Sequence, residues 1–169
     1  IEAARTHEDL VRLINRPDLP LASPIGLYIT LDKRDPSRFI VAMTHAGISL
    51  PDRDYYLSND AALVDTRTKF KAHVERLLTL AQQSDAHAKA QRIVALETEI
   101  ARHHWPVEDQ RDTTKLYNPK TRAEVRALAP HYPWDAMFDA AELGGTQNVI
   151  VNELSAMGPL ANLFVATPV

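Results

Sequence analysis

Between Asp60 and Gln83 the apolar residues Leu63, Phe70, Val74, Leu77, Leu78 and Ala81 recur at spacings of three, four and seven, which places them on one face of a long helix. A second run follows from Asp85 to His104, where Ile93, Leu96 and Ile100, joined by Val94, face inward and Pro106 marks the end. Together the two runs predict a helical hairpin, and any fold for this chain has to be built around it.

The remaining elements are shorter. From Glu2 to Asn15, Ala3, Leu10, Leu13 and Ile14 fit one helical face, which Arg16-Pro17 closes. Ile25–Leu31 and Phe39–Thr44 are rich in β-forming residues, and the polar, proline-containing connection Asp32–Arg38 between them suits an antiparallel hairpin. Ala46–Leu57 joins turn-forming residues to an aromatic pair and reads as irregular backbone followed by a helical turn. Val107–Lys120 is polar and expected to be irregular, after which Thr121-Arg122-Ala123-Glu124 has the form of a capping box opening a short helix to Leu128. Trp134–Ala141 suits another short helix, Asn148–Val151 a short strand, and Ser155–Phe164 a last helix interrupted near Gly158-Pro159. The expected fold class is mainly α: a helical lobe with two long antiparallel helices, several short helices and a small β-hairpin.

Composition narrows the function. The 169 residues, 45% of them hydrophobic, suffice for one sizeable core or two small ones. With 19 Lys+Arg against 22 Asp+Glu, the net charge of -3 gives no basis for a polyanionic partner, so no nucleic acid is expected. No uninterrupted apolar stretch approaches the roughly 20 residues a bilayer requires, so no membrane segment is expected in this chain. The absence of cysteine excludes disulfides, thiolate metal ligands and thiol nucleophiles, and leaves a periplasmic, secreted or cytoplasmic compartment open. The chain opens at Ile1 in mid-pattern and closes on Leu163–Ala166 followed by Thr167-Pro168-Val169, so both ends read as cuts.

Candidate chemistry is sparse. His7-Glu8-Asp9-Leu10-Val11 begins like the zinc signature H-E-x-x-H, in which two histidines one turn apart bind the metal, but Val11 stands where the second histidine belongs. Glu99 and His103 are four residues apart on a helix, with His104 beside them, yet no third ligand stands at a readable spacing. There is no G-x-S-x-G elbow and no glycine-rich phosphate loop, with only 5 glycines in all. Trp105, Tyr117, Tyr132 and Trp134 are expected to pack in cores and junctions rather than to form a ligand cage. No catalytic or metal-binding residue is assigned, and binding residues stay unassigned.

The segment Gly47-Ile48-Ser49-Leu50-Pro51-Asp52-Arg53-Asp54-Tyr55-Tyr56-Leu57 closely resembles the G-L-x-L-P-x-R-x-Y-Y-L signature of neprilysin-like zinc metallopeptidases, a family that includes PepO-type endopeptidases. In the order expected for that family come Leu96-Glu97-Thr98-Glu99-Ile100-Ala101, similar to L-E-x-x-I-A, then Arg111-Asp112 and Leu116-Tyr117-Asn118. Asp32–Arg38 resembles a family turn, and Trp134 with Val149-Ile150-Val151 fits as well, so the resemblance spans essentially the whole chain.

The resemblance implies a piece of the helical, non-catalytic lobe, which sits over the catalytic lobe and encloses a water-filled chamber admitting only short peptides. The family's zinc-binding H-E-x-x-H helix and its N-A-(Y/F) motif do not occur in residues 1–169. The chain alone is therefore expected to be inactive and to hold no cofactor, with zinc in the full-length parent. Its expected partners are its own missing catalytic lobe and, in the parent, oligopeptide substrates; a patch bared by the absent neighbour is expected on its surface. Arg53, paired bidentately, and Asp54 with Tyr55-Tyr56 are expected to pin the chain where the hairpin meets the long helix. The alternative is a stand-alone helical peptide- or protein-binding module without catalysis. A gene continuing past Val169 into H-E-x-x-H selects the first reading, and one ending there the second.

Overall fold

The computed structural model describes residues 4–169. In chain order the elements are α1 (His7–Ile14), β1 (Ile25–Asp32), β2 (Asp35–His45), α2 (Asp54–Leu57), α3 (Ala61–Leu80), α4 (Ala86–His103), β3 (Asn118–Thr121), α5 (Arg122–Leu128), α6 (Trp134–Ala140), β4 (Asn148–Val151) and α7 (Leu154–Ala166). The chain is mainly helical. It divides into two units, one made of residues 4–47 with Glu108–Val169 and the other of Ile48–Val107.

The first unit is built on a sheet of order β1-β2-β4-β3. β1 and β2 pair antiparallel from Ile25↔His45 to Leu31↔Phe39, β2 and β4 pair in parallel at Val41↔Val149 and Met43↔Val151, and β3 runs antiparallel to β4. The expected hairpin is thus only half of a four-stranded sheet. Its turn is also tighter than expected, because Asp35–Arg38 continues β2 and Asp32 pairs with Asp35 across a bulge. The stretch read as irregular to Lys120 ends instead in β3. Asn118-Pro119-Lys120-Thr121 carries no strand signature, and tertiary pairing recruits it: the Asn118 side-chain amide donates to the carbonyls of Val151 at 2.9 Å and Asn152 at 3.1 Å. Proline is acceptable there because β3 is an edge strand.

Val125, Trp134, Met137, Phe138, Val149, Val151, Met157 and Leu160 are buried in this unit. Each such side chain contributes about 1.5–3 kcal/mol by leaving water. α7 runs straight through Pro159, against the expected interruption. The hydrogen bond that proline cannot make falls near the start of the helix, on its exposed side, where the loss is smallest. Gly158 is required by close packing, since a Cβ there would meet the Leu128 carbonyl oxygen at 2.8 Å. The first helix starts at His7, later than the pattern suggested, because Thr6 and Asp9 form a reciprocal capping box. Ala3, assigned to its inner face from the sequence, lies outside the described residues.

The second unit holds α2, α3 and α4. Asp60 caps α3, its carboxylate accepting from the amides of Ala62 at 2.9 Å and Leu63 at 3.2 Å. Leu63, Phe70, Val74 and Leu78 are half-buried as their spacing requires, whereas Leu77 is 51% exposed and Ala81 lies beyond the helix. On α4 the inner face is Ala90, Val94, Glu97, Ile100 and Ala101, while Ile93 and Leu96 turn outward. The pattern of apolar residues misplaced that face by about one position, because it discarded Glu97 as polar.

Candidate functional site

The signature segment proves to be a structural knot. Gly47 sits at φ +86°, and a Cβ there would come within 2.8 Å of the Pro24 Cα, so both the conformation and the space demand glycine. Beyond it, in the second unit, the Glu97 carboxylate accepts from the Ser49 hydroxyl at 2.7 Å, the Ser49 amide at 3.1 Å and the Tyr56 hydroxyl. The Tyr56 oxygen accepts in turn from the Leu50 amide at 2.9 Å. Burial, and next the hydrogen bond to Glu97, push the pKa of the Tyr56 phenol well above its ordinary value.

Arg53 departs from expectation. Its Nη1 donates to the backbone carbonyl of His104 at 2.7 Å, so it closes the C-terminal end of α4 instead of making a bidentate pair with a carboxylate. Arg67, which the sequence gave no reason to single out, does the same for α2 by donating to the carbonyls of Tyr55 at 3.1 Å and Tyr56 at 2.6 Å.

In the first unit the hairpin turn is locked by Asp32, whose side chain is fully buried. It accepts from the Tyr117 hydroxyl at 2.7 Å, the Arg34 amide at 2.9 Å and the Arg38 guanidinium at 2.7 Å. Those bonds, Tyr117 first, hold its carboxyl at about 2. Arg34 stacks over the Tyr117 ring at 4.3 Å. The Tyr117-Asn118 motif therefore has two jobs, with Tyr117 holding the turn and Asn118 recruiting β3.

The residues weighed as metal ligands are dispersed. His7 Nε2 lies 2.8 Å from the Thr167 carbonyl and the ring meets Phe164 edge-on, while Glu8 pairs with Arg12. Glu99 pairs with Arg102 at 3.1 Å, and His104 is buried. Among the described residues no three His, Asp or Glu side chains converge, so these residues do not fit a zinc ion. The aromatics do not form one cage either. Tyr132 packs on Trp134 at 4.5 Å and on Phe164 at 5.4 Å, and Tyr117 is engaged by Asp32.

Open clefts lie on the first unit. One, of about 510 Å³, has Pro130, Tyr132, Pro133 and Trp134 in its wall and the Glu8–Arg12 and Arg126–Asp135 pairs at its rim. Another, of about 420 Å³, contains buried Arg122, which bonds to Asp135 and lies 3.9 Å over the Phe138 ring. Asp135 is held ionised, chiefly by Arg126. Wherever a carboxyl pKa departs from its ordinary value among the described residues, it falls, as at Asp9, Asp32, Asp112, Glu124 and Asp135, and such groups are held as anions rather than poised as proton donors.

The Gly47–Leu57 segment, Glu97 and Tyr117-Asn118 thus serve the chain's own architecture. The sequence model of peptidase family M13 matches residues 1–169, and the chain belongs to that family, the neprilysin-like zinc metallopeptidases. Endothelin-converting enzyme-like 1 of Rattus norvegicus is 28% identical over 167 residues, which is 95% of this chain and 22% of that protein. Endothelin-converting enzyme 1 of Cavia porcellus is 24% identical over 84% of this chain and 20% of its own length. Among solved structures, the zinc metalloprotease Zmp1 of Mycobacterium tuberculosis in complex with an inhibitor superposes with a TM-score of 0.89 at 26% identity, covering 98% of this chain and 26% of that one. The same protease in its open state gives 0.87 at 28% identity. The chain thus spans about a fifth of the length of the curated relatives it matches and about a quarter of the solved chains.

No helix among the described residues is long and apolar enough to cross a membrane.

Proposed function

We propose that this chain is a fragment of the helical, non-catalytic lobe of a zinc-dependent metalloendopeptidase that hydrolyses oligopeptides, and that the lobe covers the active-site chamber and limits the size of peptide admitted. The observation that carries the reading is the family match over the full 169 residues together with a similar piece in a zinc metalloprotease of about four times the length. Zinc and the water it activates belong to the part of the enzyme beyond these residues. The residues present supply a scaffold: carboxylates held as anions by arginine, amide and hydroxyl donors, and helix ends closed by Arg53 and Arg67. We also read α3 and α4 as an antiparallel pair. The short connection between Leu80 and Ala86, and His87 Nδ1 lying 2.9 Å from Glu75 Oε2, support that arrangement.

The test compares this chain with the product of its whole gene on quenched-fluorescent peptides of graded length, with added zinc and with a chelator. Zinc-dependent activity confined to the longer protein and falling steeply with peptide length is the expected result. Activity in the 169 residues alone would mean a metal site lies here. Inactivity of both would favour the stand-alone peptide- or protein-binding module, and activity independent of peptide length would sink the size-limiting role.

A further inference from the structure

The two edges of the sheet are not alike. β3 is four residues long and carries Pro119 and Lys120, the features by which natural sheets keep an open edge from pairing with other chains. β1, at the opposite edge, is eight residues long, contains no proline and carries no charge before Asp32. Among the described residues it has a strand neighbour on one side only. Such an edge is a pairing template unless something covers it.

The hairpin also outruns the sheet. β4 reaches only Val41–Met43 of β2, whereas β2 itself begins at Asp35. One apolar row runs along the hairpin through Ile25, Leu27, Ile29 and Leu31, paired with His45, Met43, Val41 and Phe39. Ile25 and Met43 are fully buried, but exposure climbs to 61% at Ile29, 49% at Leu31 and 73% at Phe39. Beside β1 lies a groove of about 340 Å³ with Leu21, Leu27, Ile29 and Leu143 in its lining. A core-facing row that continues unbroken into solvent, next to an unguarded edge, forms a seat on which a further apolar segment can pack.

We propose that this seat is filled by an apolar segment of the same polypeptide, lying outside these 169 residues, that pairs with the free edge of β1 and packs across the face formed by Ile29, Leu31 and Phe39. The inference rests on the reading of the chain as part of a longer peptidase. That occupant follows from two observations. Roughly three-quarters of the matching Zmp1 chain lies outside the matched piece, which covers 26% of it, so ample polypeptide is available. An aggregation-prone edge needs a cover that is present at all times, and a covalently linked segment acts at a high effective concentration where a transient peptide does not.

The test uses the whole gene product. A benzophenone amino acid is placed at Phe39, the protein is irradiated, and the linked residue is mapped by mass spectrometry, with hydrogen exchange of the β1 amides measured on the unmodified protein. A link within one molecule to a residue outside this chain, and β1 amides protected as strongly as those of β2, are expected. A link between two copies would make the seat a dimer interface, and a link to added oligopeptide a ligand site; either overturns the proposal. So does fast exchange along β1. A gene product that ends at Val169 would sink the longer-peptidase reading itself, whereas an active zinc peptidase whose Phe39 links elsewhere sinks this inference alone.

Discussion

The phenol of Tyr56 donates a hydrogen bond to the carboxylate of Glu97, 41 residues further along the chain. Through it the two most recognisable motifs of the sequence, the Gly47–Leu57 signature and Leu96–Ala101, are a single structural object. Glu97 fills its remaining acceptor capacity with the amide and hydroxyl of Ser49, so a helix that reads as amphipathic hides a carboxylate on its inner face.

Tyr56→Phe removes that donor and leaves the Leu50 amide without its acceptor. The unfolding free energy is expected to fall by about 1–3 kcal/mol, measured by chemical denaturation. The pH dependence follows from the raised phenol. Stability from a group whose folded value lies above its unfolded one is intact below the unfolded value of about 10 and is lost as pH climbs past it. A phenylalanine variant as stable as the parent would show that the bond contributes nothing.

Asp32 works in the opposite direction. With its carboxyl lowered from 3.8 to about 2, its contribution is present above the unfolded value and disappears as pH falls toward 2. Asp32→Asn is therefore expected to lower the melting temperature at neutral pH and to flatten its decline through the acid range. Part of the slope will survive in the variant, because Glu124 is also held at about 2, chiefly by the Thr121 amide. Identical acid profiles for the two proteins would remove Asp32 from its place as the lock of the hairpin turn.

For Arg53 the expected consequence of replacement by methionine is local. The side chain closes the end of α4 through the His104 carbonyl, and its loss should cost about 1 kcal/mol, with faster hydrogen exchange in the last turn of that helix. An unchanged melting curve would refute the anchoring role.

Gly47→Ala tests the signature glycine against a control on the same unit. At φ +86° with the Pro24 Cα in the way, alanine should cost about 1–3 kcal/mol or more. Gly145, which has nothing within 4 Å of an added Cβ, should accept alanine within about 0.5 kcal/mol. Equal effects at the two sites would mean the backbone at Gly47 relaxes freely.

Family, helical character and most element positions were legible in the sequence, for reasons that are local. The periodicity of Leu63, Phe70, Val74 and Leu78 depends only on helical geometry, the Thr121–Glu124 capping box on four consecutive residues, and the Gly47–Leu57 signature on identity and order. The jobs of the motif residues were not legible. Nothing near Glu97 says that its acceptors are met by Ser49 and Tyr56, and nothing near Asp32 points to Tyr117, 85 residues away.

What the sequence determined by itself is therefore the class of most segments and the family to which the chain belongs, because propensity, spacing and motif order are written in neighbouring residues. Only the tertiary structure decided that the hairpin is half of a four-stranded sheet, that Asn118–Thr121 is a strand, that α7 passes through Pro159, and that Glu97 faces inward. Each of those outcomes turns on hydrogen-bond partners or packing supplied by distant parts of the chain, and burial rewards a conformation that local preference alone would not select.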